Sequence, residues 1–268
     1  MSKIKFRNVS VIYESKDSKY LAVQNINISV REGEFLSIVG PSGCGKSTLL
    51  NLIAGLNFPS GGSILLDGAE IKGTGTERSV VFQHYSLFPW MTARKNIIFG
   101  LKQLNNGKSN EEIKKTADRY LDMVGLSNFK SKYPAQLSGG MQQRVAIARA
   151  LAMNSDILLM DEPFGAVDAK NRAILQDLLL KIWEGGQHRK TVIFVTHDID
   201  EAILLSDRII VMTAGPGTVK KEIDVPFKRP RERSLLVKTK EYANLRNQIV
   251  DLFYDDLVQK IGGEEVLL

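Results

Sequence analysis

The chain opens on alternation. "IKFRNVSVIY" (residues 4–13) and "LAVQNINISV" (residues 21–30) interleave apolar and polar side chains, the period of a strand with one buried face. They predict half-buried antiparallel strands. "GSILLDGAEI", Gly62–Ile71, predicts another strand and turn. Four further apolar runs do not alternate: "FLSIVG" (Phe35–Gly40), "ILLMD" (Ile157–Asp161), "TVIFVTH" (Thr191–His197) and "RIIVM" (Arg208–Met212). Each is short and nearly continuous, as in strands buried on both faces of a parallel sheet. Helical patterns such as "KSTLLNLIAGL" and "AKNRAILQDLLLKIWEGG" separate them. Strands alternating with helices predict an α/β core with a mostly parallel sheet. From about Tyr85 to Ala152 the pattern is helical instead. "NEEIKKTADRYLDMVGL" has strong helical period, with Asn110 as its expected cap. A last helix is expected from about Glu241 to Ile261.

Composition narrows the class. The length of 268 residues suits one large domain or two modest ones. The single cysteine, Cys44, excludes an intrachain disulfide and fits a reducing compartment. No apolar run approaches the roughly 18 residues of a membrane span. "MSKIKFRNVS" lacks the apolar core of a signal peptide, so the expected location is cytosolic. The net charge of +6 is spread evenly along the chain. Its densest cluster, "KRPRERS" (Lys228–Ser234), contains a proline and predicts a loop, so no nucleic-acid partner is expected.

"GPSGCGKST", Gly40–Thr48, matches the phosphate-binding pattern G-x-x-x-x-G-K-[ST]. Gly40, Ser42, Gly43, Cys44 and Gly45 form the candidate cradle. Gly43 and Gly45 let backbone amides turn inward around phosphate oxygens. Lys46 supplies a point charge for the β- and γ-phosphates, and Ser47 a hydroxyl for Mg²⁺, with Thr48 beside it. The helix beginning here points its positive dipole end at the anion, and Gly55 can end it. A lone match arises by chance; a buried strand before it and a helix after it make chance a poor explanation. Cys44 fills a variable position as a small side chain.

"ILLMDEP" ends a buried strand with two acids. Ligands of open α/β sheets bind at the carboxyl ends of strands. Asp161 is therefore expected near the metal and Glu162 near the γ-phosphate, where it can orient or deprotonate the attacking water. Without the phosphate loop, two solvated acids in a turn would be the simpler account. His197 ends another buried strand, placed to hydrogen-bond the γ-phosphate and that water.

These elements, in this order, resemble the ATP-binding subunit of ATP-binding-cassette (ABC) transporters over about residues 4–225. "LSGGMQQR" is the most diagnostic part, since ordinary phosphate-loop enzymes lack it. "VVFQHYSLFPW" resembles the family's Q-loop, with Gln83 implied as a nucleotide and metal contact. "FGAVD" resembles the D-loop ending at Asp168, with Val167 where leucine is common. Tyr13 falls where the family stacks an aromatic on adenine, and Tyr20 lies close by. The fold implied is an ABC ATPase: a phosphate-loop core, an N-terminal antiparallel β subdomain and an inserted α-helical subdomain.

The resemblance also explains a second phosphate-binding helix start in one chain. Ser138 caps a helix whose third following residue is Met141, so the usual capping-box acid is missing. A carboxylate there would repel an anion. The family implies whose anion it is. Ser138, Gly139, Gly140 and Gln142 of one subunit face the phosphate loop of a second copy, sandwiching two ATP molecules in a homodimer. Tyr85, Phe88 and Trp90 fall where the family receives a coupling helix of the membrane permease, although core packing would equally use them.

The resemblance implies an ATPase that drives transport through two separate permease subunits at the cytoplasmic face of the membrane. "GTGTERSVVFQ", "LFPWMTARKNI" and "TAGPGTVKKEIDVPFKRPR" look most like the nitrate, sulfonate and taurine importers, which use an extracytoplasmic solute-binding protein. Taurine and other sulfonates look slightly closer than nitrate. The expected division is an ABC domain over residues 1–228, with the helical part about 85–152 inserted, and a helical extension over 229–268. The competing classes are an exporter subunit, a non-transport ABC protein and a small-molecule kinase. The absence of heptad inserts and of a second cassette disfavours the non-transport class, and the signature disfavours the kinase.

Overall fold

The computed structural model describes residues 2–15, 18–104, 107–185 and 189–264, with backbone alone from 254 onward. Two compact units emerge, residues 1–73 with 193–268, and residues 74–192.

The first unit carries the alternating segments as an antiparallel sheet. β1 (Ser2–Glu14), β2 (Lys19–Ile26), β5 (Gly61–Leu66) and β6 (Ala69–Glu70) lie in the order β2-β1-β5-β6, and β3 (Ser29–Arg31) also pairs with β1. Ile4, Phe6, Val9 and Val11 of β1 point inward while Lys5 and Arg7 face out, so the alternation sets which face is core. β4 (Phe35–Val39) is buried at every position and feeds α1 (Lys46–Ala54). The order continues β11-β10-β4-β9 in a second sheet, with β9 at Thr191–Val195, β10 at Arg208–Met212 and β11 at Val219–Asp224. β4 and β10 run parallel, and β11 closes the edge antiparallel to β10. α6 (Ile199–Leu205) links β9 to β10. A short helix, α7 (Arg233–Leu236), precedes α8 (Lys240–Glu264). α8 buries Tyr242, Leu245 and Ile249 against Ala202 and Ile203 of α6 and against β10 and β11. "KRPRERS" is irregular up to the start of α7. Its Arg229 donates to the Leu205 carbonyl at 2.6 Å and its Arg231 to those of Ile203, Leu204 and Ser206. These cations satisfy the open carbonyl end of α6.

The second unit pairs β7 (Arg78–Val81) parallel to β8 (Ile157–Asp161). Around them stand α2 (Ala93–Lys102), α3 (Asn110–Met123), α4 (Gly139–Met153) and α5 (Ala169–Glu184). Among the described residues no strand falls between Tyr85 and Ala152. One cap differs from expectation. Ser109, not Asn110, caps α3: its hydroxyl accepts from the Glu112 amide at 3.3 Å, and the Glu112 carboxylate accepts from the Ser109 amide at 2.8 Å. The reciprocal capping box decides the start, and the helical period alone had pointed one residue late. α5 ends at Glu184; Gly186, the last residue of its expected run, lies outside the described residues, as do residues 265–268. Among the described residues no helix is long and apolar enough to cross a membrane.

Candidate functional site

The phosphate loop leaves β4 at Gly40 and enters α1 at Lys46. Gly43 (φ 78°) and Gly45 (φ 91°) adopt the left-handed region, and a Cβ on Gly45 would stand 2.2 Å from Val23 Cγ1. Two independent constraints therefore require glycine at position 45. α1 starts with no side-chain cap and no acid in its first turn, which leaves its dipole end unopposed. Gly55 ends the helix as expected, left-handed at φ 73°. Lys46 is buried, and its Nζ donates to the carbonyls of Gly40 (2.8 Å) and Pro41 (2.9 Å). The ammonium thus spans its own loop. Ser42, Gly43 and Ser47 are exposed. Cys44 is buried, its amide donates to Pro41 O at 3.3 Å, and burial pushes its thiol pKa up against the opposing pull of Lys46.

Tyr13 and Tyr20 are direct cross-strand partners on β1 and β2. Tyr13 Oη lies 3.2 Å from Thr48 Oγ1 and accepts from Asn57 Nδ2 at 3.2 Å. Tyr20 Oη donates to the Gly43 carbonyl at 3.3 Å. Both side chains, 41% and 52% exposed, therefore flank the loop. The Thr48 hydroxyl turns toward Tyr13.

His197 follows β9 in a turn tied on both sides. Thr196 Oγ1 donates to Glu201 Oε2 at 2.8 Å and accepts from the Asp198 amide at 3.0 Å. Asp198 caps α6 by accepting from the amides of Asp200 (2.9 Å) and Glu201 (3.1 Å). The imidazole is exposed.

In the second unit β8 ends at Asp161, which is buried. Glu162 stands at φ 44°, a left-handed conformation that costs a residue with a Cβ about 1–2 kcal/mol. Its Oε2 accepts from Gln83 Nε2 at 3.3 Å, so two of the sequence's candidates meet. Asp168 caps α5: Asn171 donates to its carboxylate from side chain (2.7 Å) and backbone (3.1 Å), and these bonds hold the Asp168 carboxyl below its ordinary pKa.

Ser138 caps α4, accepting from the Met141 amide at 3.3 Å, and the first turn holds no acid. Gln142 reaches back to the Leu137 carbonyl at 3.2 Å. A Cβ on Gly139 would lie 2.6 Å from Tyr85 Oη, and one on Gly140 would lie 3.0 Å from the Ala166 carbonyl. Both glycines are thus closely approached, Gly139 by the Tyr85 hydroxyl and Gly140 by the Ala166 carbonyl. The sequence left Tyr85 open between a permease groove and core packing, and its close approach to Gly139 could not be read there. Two adjacent small residues were the one available signal.

Oxygen donors of the kind a hard cation takes are present in each unit by itself: a hydroxyl on Ser47 in the first, and an amide and a carboxylate on Gln83 and Asp161 in the second. Among the described residues no cluster of three His, Cys, Asp or Glu side chains could hold a metal alone.

A buried strand, phosphate loop and helix, a strand-end Asp-Glu pair and a serine–glycine helix start together define an ATP-binding cassette, and the chain belongs to the ABC transporter family: the model for that family matches residues 23–165. It is an ATP-binding subunit whose hydrolysis of ATP is coupled to transport. The nitrate import ATP-binding protein NrtD of Synechococcus elongatus is 47% identical over 250 residues, covering 93% of this chain and 90% of that protein. The bicarbonate transport ATP-binding protein CmpD of the same organism is 47% identical over 249 residues, covering 92% and 89%. A solved dimeric post-hydrolysis state of an ATP-binding cassette, bound to ADP and Pi, superposes with a TM-score of 0.76 at 38% identity, covering 84% of this chain and 100% of that one.

Proposed function

We propose that the chain powers uptake of a small anion through a separate permease, as a homodimer closed by two ATP molecules. The observation that carries this is a pair of helix starts that are both free of first-turn acids and built on glycines, α1 behind Gly43 and Gly45 of the phosphate loop and α4 at Gly139 and Gly140 behind Ser138. Each suits an anion, and one chain needs only one for its own nucleotide. In this reading Gly40 to Thr48 cradle the triphosphate, Lys46 neutralises it, and Tyr13 stacks on the base. Ser138, Gly139, Gly140 and Gln142 close on the nucleotide of the second copy, with Asp168 at the same seam. Glu162 orients and deprotonates the attacking water, and His197 holds that water and the γ-phosphate. Ser47, Gln83 and Asp161 would hold Mg²⁺, which supplies charge neutralisation of the phosphates.

Glu162→Gln tests the composite site. ATPase activity should fall by a factor of about 10² or more, while ATP binding persists and the protein runs as a dimer in ATP. A monomer under those conditions would sink the sandwich.

For the solute, a planar oxyanion of the nitrate or bicarbonate kind has the support of the relatives' names. Taurine and other sulfonates keep the support of the motifs around Gln83 and Gly215–Gly217. Two transmembrane permease subunits, with this chain bound at their cytoplasmic face, and an extracytoplasmic solute-binding protein complete the assembly. A strain lacking this gene should lose growth on limiting nitrate or bicarbonate. Growth lost on a sulfonate as sole sulfur source, with nitrate and bicarbonate use intact, would move the solute to the sulfonates.

A further inference from the structure

The segment from Arg229 onward has no place in the machinery above, yet it is bound to one part of it. α8 lays Tyr242, Leu245 and Ile249 on α6 and the β10–β11 pair. The polar edge of that contact is Asp200, in the first turn of α6. Its Oδ1 accepts from Tyr242 Oη at 2.6 Å and from Arg246 Nε at 3.0 Å. The Asp200 amide donates to Asp198 Oδ1 at 2.9 Å, and Asp198 adjoins His197. At the far end of α6, Arg229 and Arg231 hold the carbonyls of residues 203–206. Both ends of a seven-residue helix are therefore gripped by the C-terminal segment. A helix that short does not hold its own geometry. The Tyr242 hydroxyl is kept protonated, first by burial and then by its bond to Asp200, both of which raise its pKa. It stays a donor across the working pH range.

We propose that Tyr242 and Arg246 are positioning residues for His197: they fix Asp200, Asp200 fixes the capped first turn of α6, and that turn presents the imidazole. The inference rests on the role assigned to His197 above. It gives the C-terminal helix a task in turnover besides its packing, which Leu245 and Ile249 supply by burial.

The test uses the full chain with Tyr242→Phe and Arg246→Gln combined, which keeps the buried ring and removes both donors to Asp200. kcat should fall about tenfold, the scale expected when a catalytic group is misplaced by less than an ångström, with KM for ATP unchanged. Restoring a cation with Arg246→Lys should recover part of the loss. In a His197→Ala background the same pair of changes should alter the residual rate less than about twofold, because the group they position is gone. An unchanged kcat in the presence of a severe His197→Ala defect would overturn the inference alone. So would an equal fractional loss in both backgrounds, the mark of general destabilisation. A His197→Ala protein with normal kcat would overturn the role of His197 and the inference with it. Should the pair impair folding, Tyr242→Phe alone must show the same split of kcat from KM at smaller amplitude.

Discussion

The helix starts at Lys46 and at Gly139 are both suited to a phosphate, and they are built by opposite means. α1 has no side-chain cap. Its loop is shaped by glycines at positive φ and tied by a buried cation that donates to two carbonyls of that same loop. α4 has a serine cap, no cation in its first turn, and glycines pressed against Tyr85 and Ala166. The first start carries charge and closes on itself. The second carries shape, and its two glycines are spoken for by the Q-loop and the D-loop. A start rich in its own charge can bind a nucleotide unaided; one that offers only amides and a hydroxyl contributes where a nucleotide is already held. α3 supplies the contrast, since Glu112 occupies its capping box. Missing acids permit an anion without demanding one: α2 (Thr92 cap) also lacks them.

The largest effect expected from this comparison separates the two starts. Lys46→Ala should weaken ATP binding by about 10- to 100-fold, the worth of a lost charge-assisted hydrogen bond, in a fluorescent-nucleotide titration. Ser138→Arg should leave that titration unchanged and abolish turnover. Normal ATPase activity in Ser138→Arg would erase the distinction. Gly140→Ala comes next. Its added carbon meets the Ala166 carbonyl at 3.0 Å, so it should lower turnover more than stability, with ATP affinity retained. The smallest effect sharpens the role of the caps. Ser109→Ala should cost about 1 kcal/mol of stability in a denaturant melt and leave turnover intact. Ser138→Ala should cost a similar amount and reduce turnover as well.

Much of this was legible in the chain. Continuous apolar runs marked β4, β8, β9 and β10 because strands buried on both faces need no alternation. Gly43, Gly45 and Gly55 announced left-handed turns through the absence of a Cβ. The start of α3 was placed one residue late because a helical period carries no information about which hydroxyl closes the first turn. The grip of α8 on α6, Tyr85 against Gly139 and Gln83 on Glu162 were invisible. Each joins segments distant along the chain through a specific rotamer or approach, and local pattern is silent on both. The basic run at residues 228–234 was legible as a loop, but not as the closure of α6.

Glu162 carries a consequence for any attempt to harden this protein. Its backbone sits where glycine is comfortable and glutamate is not. Glu162→Gly should relieve about 1–2 kcal/mol of backbone strain against about 0.5–1 kcal/mol of added unfolded-chain entropy, a net gain of at most about 1 kcal/mol, while removing the carboxylate. With the role proposed for Glu162, selection on thermal tolerance alone would favour that change at the expense of turnover, so a stability gain and an activity loss meet at one peptide unit.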